Sequence, residues 1–131
     1  MNIVVCMKQV PDTEAQIRVK PDGSGIVESD IKFVMNPYDE YGVEEAIRIV
    51  NKNGGEVVVV TVGKETAVNT IRSALAMGAA RGILVKTETQ FLDSSLTGLA
   101  LQRAIREDGA PDLIFTGKQS VDSEGSQTHY R

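Results

Sequence analysis

The chain has 131 residues, enough for one domain and too few for two. Hydrophobic residues make up 41% and charged residues 24%, which suits a folded globular chain and excludes a disordered one. Fourteen basic side chains against 18 acidic ones leave a net charge of −4, so the electrostatic footprint of a nucleic-acid binder is missing.

Asn2 to Met7 is a short, β-branched apolar run and reads as a buried strand. Pro11 and Asp12 end it within Lys8 to Asp12. Gln16 to Lys20 alternates, with Ile17 and Val19 on one face and Arg18 and Lys20 on the other. Pro21-Asp22-Gly23-Ser24-Gly25 is a turn by composition. Ile26-Val27 and Ile31 to Met35 can pair with what precedes them. Gln16 to Met35 is therefore expected to form a small antiparallel ribbon beside the main sheet.

Asn36-Pro37 is the clearest helix start. Asn36 can cap, Pro37 suits the first helical position, and Asp39 and Glu40 favour the positive end of the dipole. Val43, Ala46, Ile47 and Val50 then make one apolar helical face, and Gly54-Gly55 ends it. Glu56 to Val62 contains the valine run Val57 to Val60, the pattern of a strand covered on both faces and hence parallel. A second helix is predicted from about Thr66 to Met77 with Val68, Ile71 and Leu75 inward, stopping at Gly78. Gly82 to Lys86 is a third strand. Asp93 to Asp108 is a third helix, led by Leu96, Leu99, Ala100 and Ala104. Asp112 to Thr116, after Pro111, is a fourth strand, and a polar loop runs from Gly117 to Gln127. Strands and helices alternate at crossover spacing. The expected fold is α/β, a mostly parallel sheet with helices on both faces, in a single domain over residues 1–131.

The longest apolar runs are strand-sized, too short to cross a bilayer. Cys6 and His129 are each the single residue of their kind, which excludes a disulfide framework and His-rich or multi-cysteine metal sites. An apolar strand begins directly after Met1, with no signal-peptide or transit pattern, so a cytoplasmic location is the default expectation.

In open α/β sheets the ligand lies beyond the carboxyl ends of the strands. That brings together Cys6 to Asp12, Val62-Gly63 and Gly117 to Thr128, with the Asn36-Pro37 helix start beside them. Backbone N–H groups, small residues and a helix N-terminus suit an anionic ligand, so a nucleotide or another phosphate ester is indicated. Specific motifs narrow this by failing. There is no GxGxxG. Gly63-Lys64 lacks the Ser or Thr after lysine and the earlier glycine of a P-loop, since Glu65 and Val58 stand there. No Ser-His-Asp or Cys-His set can be built. Asp122 and Glu124 share a loop; they read more simply as a solvated, helix-capping pair than as an acid–base pair. Cys6 reads as a small core residue and His129 as a surface side chain. Lys118 suits a phosphate contact or plain solvation equally.

Four segments carry a resemblance. They are Ile-Arg-Val-Lys-Pro-Asp-Gly (17–23), Met-Asn-Pro-Tyr-Asp (35–39) followed by Val-Glu-Glu-Ala (43–46), Thr-Ile-Arg-Ser-Ala-Leu-Ala-Met-Gly-Ala-Ala-Arg-Gly (70–82), and Gly-Lys-Gln-Ser-Val-Asp-Ser-Glu-Gly-Ser-Gln-Thr (117–128). Together and in this order they resemble the β subunit of electron transfer flavoprotein, from Met1 onward. The resemblance implies an adenine-nucleotide-binding, Rossmann-like α/β fold that performs no bond-making chemistry itself. It implies a partner α subunit holding most of a redox FAD. It also implies electrons taken from acyl-CoA dehydrogenase-type flavoenzymes and passed to a quinone oxidoreductase or another acceptor. Ordinary members bury a structural AMP; electron-bifurcating members hold a second FAD in its place.

Carried over by position, the AMP contacts are Cys6, Asn36, Pro37, Tyr38, Asp39, Val62 and the loop Gly117, Lys118, Gln119, Ser120, Val121, Asp122, Ser123, Glu124, Gly125, Ser126, Gln127 and Thr128. The adenine would lie near Cys6 and Val62. The phosphate would meet N–H groups around Gly125 to Thr128, with Ser123, Ser126 and Thr128 hydroxyls adding donors. Tyr38 matches an aromatic position that approaches the α-subunit flavin, and a ring packed at the subunit interface fits it equally. The loop reads Asp-Ser-Glu-Gly-Ser-Gln where many bifurcating members would read Asp-Gly-Asp-Thr-Ala-Gln, which leans toward AMP. Family members continue well past Arg131, so an amino-terminal fragment is expected, with an exposed sheet edge that invites self-association. The runner-up class is a stand-alone regulatory protein of the universal-stress type. Its glycine-rich loop spacing does not match Gly117 and Gly125. A nucleotide-cleaving enzyme would need a Ser-Gly-Gly-x-Asp-Ser loop where Lys8-Gln9-Val10-Pro11-Asp12 stands.

Overall fold

Alternating apolar side chains along a strand cover both of its faces, and here they separate two helical layers. The computed structural model describes residues 1–11, 21–23, 32–87, 94–117, 120 and 128. Its main sheet contains β1 (Asn2–Cys6), β4 (Glu56–Gly63), β5 (Arg81–Lys86) and β6 (Leu113–Thr116) in the order β5-β4-β1-β6. All neighbours are parallel, with Val4 beside Val58 and Ile114, and Val60 beside Ile83. A separate antiparallel ribbon joins β2 (Gln9–Pro11) to β3 (Phe33–Met35).

Ile3, Val5, Val57 and Val59 point to one face, where α1 (Pro37–Asn53) and α2 (Val68–Met77) cover them through Val43, Ala46, Ile71 and Ala74. Val4, Val58 and Val60 point to the other face, packed by Leu101, Ala104 and Ile105 of α3 (Ser94–Asp108). Each fully covered valine contributes roughly 1.5 kcal/mol or more, so the central strands dominate the core. The expected α/β fold, with helices on both faces and a small ribbon near the N-terminus, is the one observed.

The local details depart from the sequence reading in three places. First, Lys8 to Asp12 was expected to be a break. Instead, Gln9–Pro11 is a strand, with Gln9 opposite Met35 and Pro11 opposite Phe33. Val10 is completely buried, and burial outweighs the missing N–H of Pro11, which costs little at the end of a two-stranded ribbon. The expected pairing of Gln16 to Lys20, Ile26-Val27 and Ile31 lies outside the described residues. Within 21–23 the turn is present, with Gly23 at φ 73°. Second, Leu75 is exposed and Ala74 takes its place against the sheet. The small side chain lets α2 approach β5 closely: a Cβ on Gly82 would collide with Ile71. Third, α3 carries two apolar stripes. Leu96 and Leu99 are exposed, while the expected Ala104 does pack, in a stripe with Leu101 and Ile105.

The strand order positions the site. From β1 the chain steps outward through β4 to β5, then returns to β1's other side as β6. The order therefore reverses at β1, and such reversals open a crevice at the carboxyl ends of the flanking strands. Among the described residues β5 and β6 form the two edges, and Leu113 and Ile114 on β6 are exposed.

Candidate functional site

Because the strands are parallel, Cys6, Gly63 and Thr116 lie at the same end of the sheet. The start of α1 is brought to that end by the chain leaving β1. The Asn36 backbone N–H donates to the Lys8 carbonyl at 2.8 Å, strapping the helix entrance to the strand exit. Asn36 occupies the N-cap position as expected, but its side chain does not cap; it is 1% exposed and hydrogen-bonds Asp39. Its carbonyl starts the helix by accepting from the N–H groups of Asp39 and Glu40 at 3.0 and 3.1 Å. The Met7 N–H continues the ladder to the Val60 carbonyl at 2.9 Å.

Asp39 is the hub. It is buried, and its Oδ2 accepts the Lys8 N–H at 2.8 Å while Oδ1 accepts the Gly117 N–H at 3.2 Å. One carboxylate thus joins the exits of β1 and β6 to the first turn of α1. The fit leaves room only for glycine at 117. A Cβ there would run into the Asp39 carboxylate and lie 3.1 Å from the Tyr38 Cβ. Around this hub Lys8 Nζ donates to Ser120 Oγ at 3.3 Å, and Gln9 Nε2 donates to the Thr66 carbonyl at 3.3 Å.

Burial pushes the Asp39 carboxyl up to about 6, against the opposing pull of the Lys8 N–H, the Asn36 side chain, the Gly117 N–H and the Lys8 charge. It is still mostly ionised at neutral pH. The same surroundings act on Cys6. Burial, and then the negative charge of Asp39, push its thiol up to about 12. A thiol held protonated is a poor nucleophile, so Cys6 packs rather than reacts.

Of the residues singled out in the sequence, Cys6, Asn36, Pro37, Tyr38, Asp39, Gly117 and Ser120 come together at this end. Tyr38 presents an exposed ring on the first turn of α1. Val62 is half-buried near the end of β4, beside Val85. Thr128 is half-buried. Lys118, Gln119 and Val121 to Gln127 lie outside the described residues. Lys8 and Gln9 lie within the Cys6 to Asp12 segment that the strand-end argument brings to this end, although they are not among the positions carried over from the family resemblance. Among the described residues no group of three or more His, Cys, Asp or Glu side chains could hold a metal ion, and no helix is long and apolar enough to cross a membrane.

A parallel sheet reversing at β1, with a helix entrance and two strand exits pinned together at the carboxyl ends of the strands, defines a doubly covered α/β protein. Residues 24–129 match the electron transfer flavoprotein domain, and the chain belongs to that family. It is 45% identical to the electron transfer flavoprotein subunit beta of Bradyrhizobium diazoefficiens, over 98% of this chain and 51% of that protein. It is 43% identical to the protein FixA of Sinorhizobium fredii, over 97% of this chain and 46% of that one. The mitochondrial electron transfer flavoprotein subunit beta of Arabidopsis thaliana is 43% identical over 98% of this chain and 51% of its own length. The chain therefore spans about half the length of these curated relatives. The resemblance read from the four segments is borne out.

Proposed function

We propose that this chain is the nucleotide-holding part of an electron-carrier β subunit. It binds a structural AMP at the carboxyl end of β1, pairs with an FAD-carrying α subunit, and makes or breaks no bonds itself. In the whole protein, electrons pass from acyl-CoA dehydrogenase-type flavoenzymes to a quinone oxidoreductase or another acceptor, in the cytoplasm. The redox chemistry belongs to the flavin. The part played by these residues is to hold and to position.

The observation that carries the reading is the junction at Asp39, which fixes two strand exits and a helix start around one crevice. The residues there suit an anionic nucleotide. Asp39's two oxygens face the Lys8 and Gly117 N–H groups, which shields a bound phosphate from the carboxylate's charge, and Lys8 Nζ with Ser120 Oγ supplies a cation and a hydroxyl. Tyr38, exposed on the same turn, offers a ring to a partner surface or its flavin.

The test is to denature the purified chain, identify any released nucleotide by chromatography and absorbance, and titrate the refolded chain with AMP and FAD. AMP released or bound is the expected result. FAD taken up in preference would place the chain with the bifurcating type. A folded sample that carries neither and binds neither would overturn the reading.

A further inference from the structure

We infer that Asp39 is a positioning residue, which shapes the nucleotide crevice by clamping the Lys8 and Gly117 backbones together rather than by touching the ligand. This rests on the proposed nucleotide reading and assigns a role within that site.

Three observations converge. Both carboxylate oxygens are engaged by backbone N–H groups that lie 31 and 78 residues away in sequence, so one side chain sets the separation of two strand exits. Asp39 is only 6% exposed, which leaves little of it for a ligand to reach. The partner position has no room for a side chain, since a Cβ on Gly117 would displace the carboxylate itself. A carboxylate aimed at a phosphate would repel it, whereas one turned onto backbone donors anchors the loop that receives it. The other groups facing Asp39 fit this. Asn36 donates to it, Lys8 supplies a countercharge, and the Cys6 thiol beside it is neutral. An aspartate suits the task because it has two acceptors at a fixed angle. An asparagine of the same size keeps one acceptor and sets an N–H₂ against the other donor.

The experiment combines amide hydrogen exchange with AMP titration of the purified chain, comparing wild type with Asp39→Asn and, from the opposite side of the contact, Gly117→Ala. Both variants should release the Lys8 and Gly117 amides from protection while Val58 and Val59 stay protected. Both should also weaken AMP roughly tenfold or more, as expected when a buried donor is left unpaired. Weakened AMP with both amides still protected would mean that Asp39 touches the ligand, and would overturn the inference. So would unchanged exchange and affinity. If one variant fails to fold, the other decides. If the wild type itself binds no AMP, the nucleotide reading falls, and the exchange result alone then judges the clamp: protection lost in Asp39→Asn supports it and protection retained overturns it.

Discussion

The two ends of the sheet handle charge in opposite ways. At the amino end, Arg81 on β5 forks onto Asp108 at the end of α3, at 2.5 and 3.0 Å, and reaches Glu56 on β4 at 2.8 Å. The Asn2 N–H donates to Asp112 Oδ2 at 2.7 Å, and the amino terminus to the Gly54 carbonyl at 3.1 Å. All of these groups are in contact with water, where ion pairs are screened and each contributes little. At the carboxyl end, among the described residues, a single carboxylate is buried and tied to backbone donors. An exposed ion cluster trims a sheet edge at almost no cost. A buried charge weakens the fold, and its presence at the point of strand reversal is what singles out this end for the proposed ligand.

The largest expected effect that sharpens this contrast is a pH dependence. The folded chain holds a proton on Asp39 up to about pH 6, against 3.8 ordinarily. This group therefore favours the fold most below the ordinary carboxyl range, and the advantage is lost as pH rises through that window. At about 1.4 kcal/mol per unit the swing is about 3 kcal/mol. Asp39→Asn removes it, so urea midpoints should show the variant gaining on wild type by that amount between acid and neutral pH; a constant difference would break the contrast. Next in size is Gly117→Ala. Its Cβ meets the Asp39 carboxylate, and overpacking of this kind costs roughly 2 kcal/mol, read from thermal melts. Smaller again is Thr61→Val. Thr61 Oγ1 is buried in β4 with no partner among the described residues, so an isosteric valine should raise stability by about 1 kcal/mol. The smallest effect belongs to the amino end. Arg81 holds Asp108 below its usual range, so that contribution is present at neutral pH and fades as pH falls, opposite in sign to Asp39. Arg81→Ala should shift the melting temperature least of all, and the shift should vanish in concentrated salt.

The architecture was legible wherever one pattern dominated. The valine run of β4 could only be a doubly covered strand, and Asn36-Pro37 with the Gly54-Gly55 stop framed α1. The misreadings share a cause. In α2 and α3 more than one apolar stripe was available, and the bulkier leucines at 75, 96 and 99 drew the prediction. Close helix–sheet approach selected Ala74 instead, and contact with Val58 and Val60 selected Leu101 and Ile105 beside the expected Ala104. The β2 strand was hidden behind Pro11, because its burial depends on β3, which is distant in sequence. At the candidate site the strand-end argument gathered Cys6, Asn36 to Asp39, Gly117 and Ser120, and the structure places these residues at one end of the sheet. It read Asn36 as a cap and left Asp39 at the dipole. Their mutual bond, and the reach of Asp39 to Lys8 and Gly117, arise only when three separated segments meet.

The most direct test of the central claim is an AMP titration followed by backbone amide chemical shifts across the whole sheet. The account predicts perturbation at Cys6 to Lys8, Asn36 to Asp39 and Gly117, with Glu56, Arg81 and Asp108 unmoved. Shifts centred on the Arg81 end, or none at either end under saturating AMP, would contradict it.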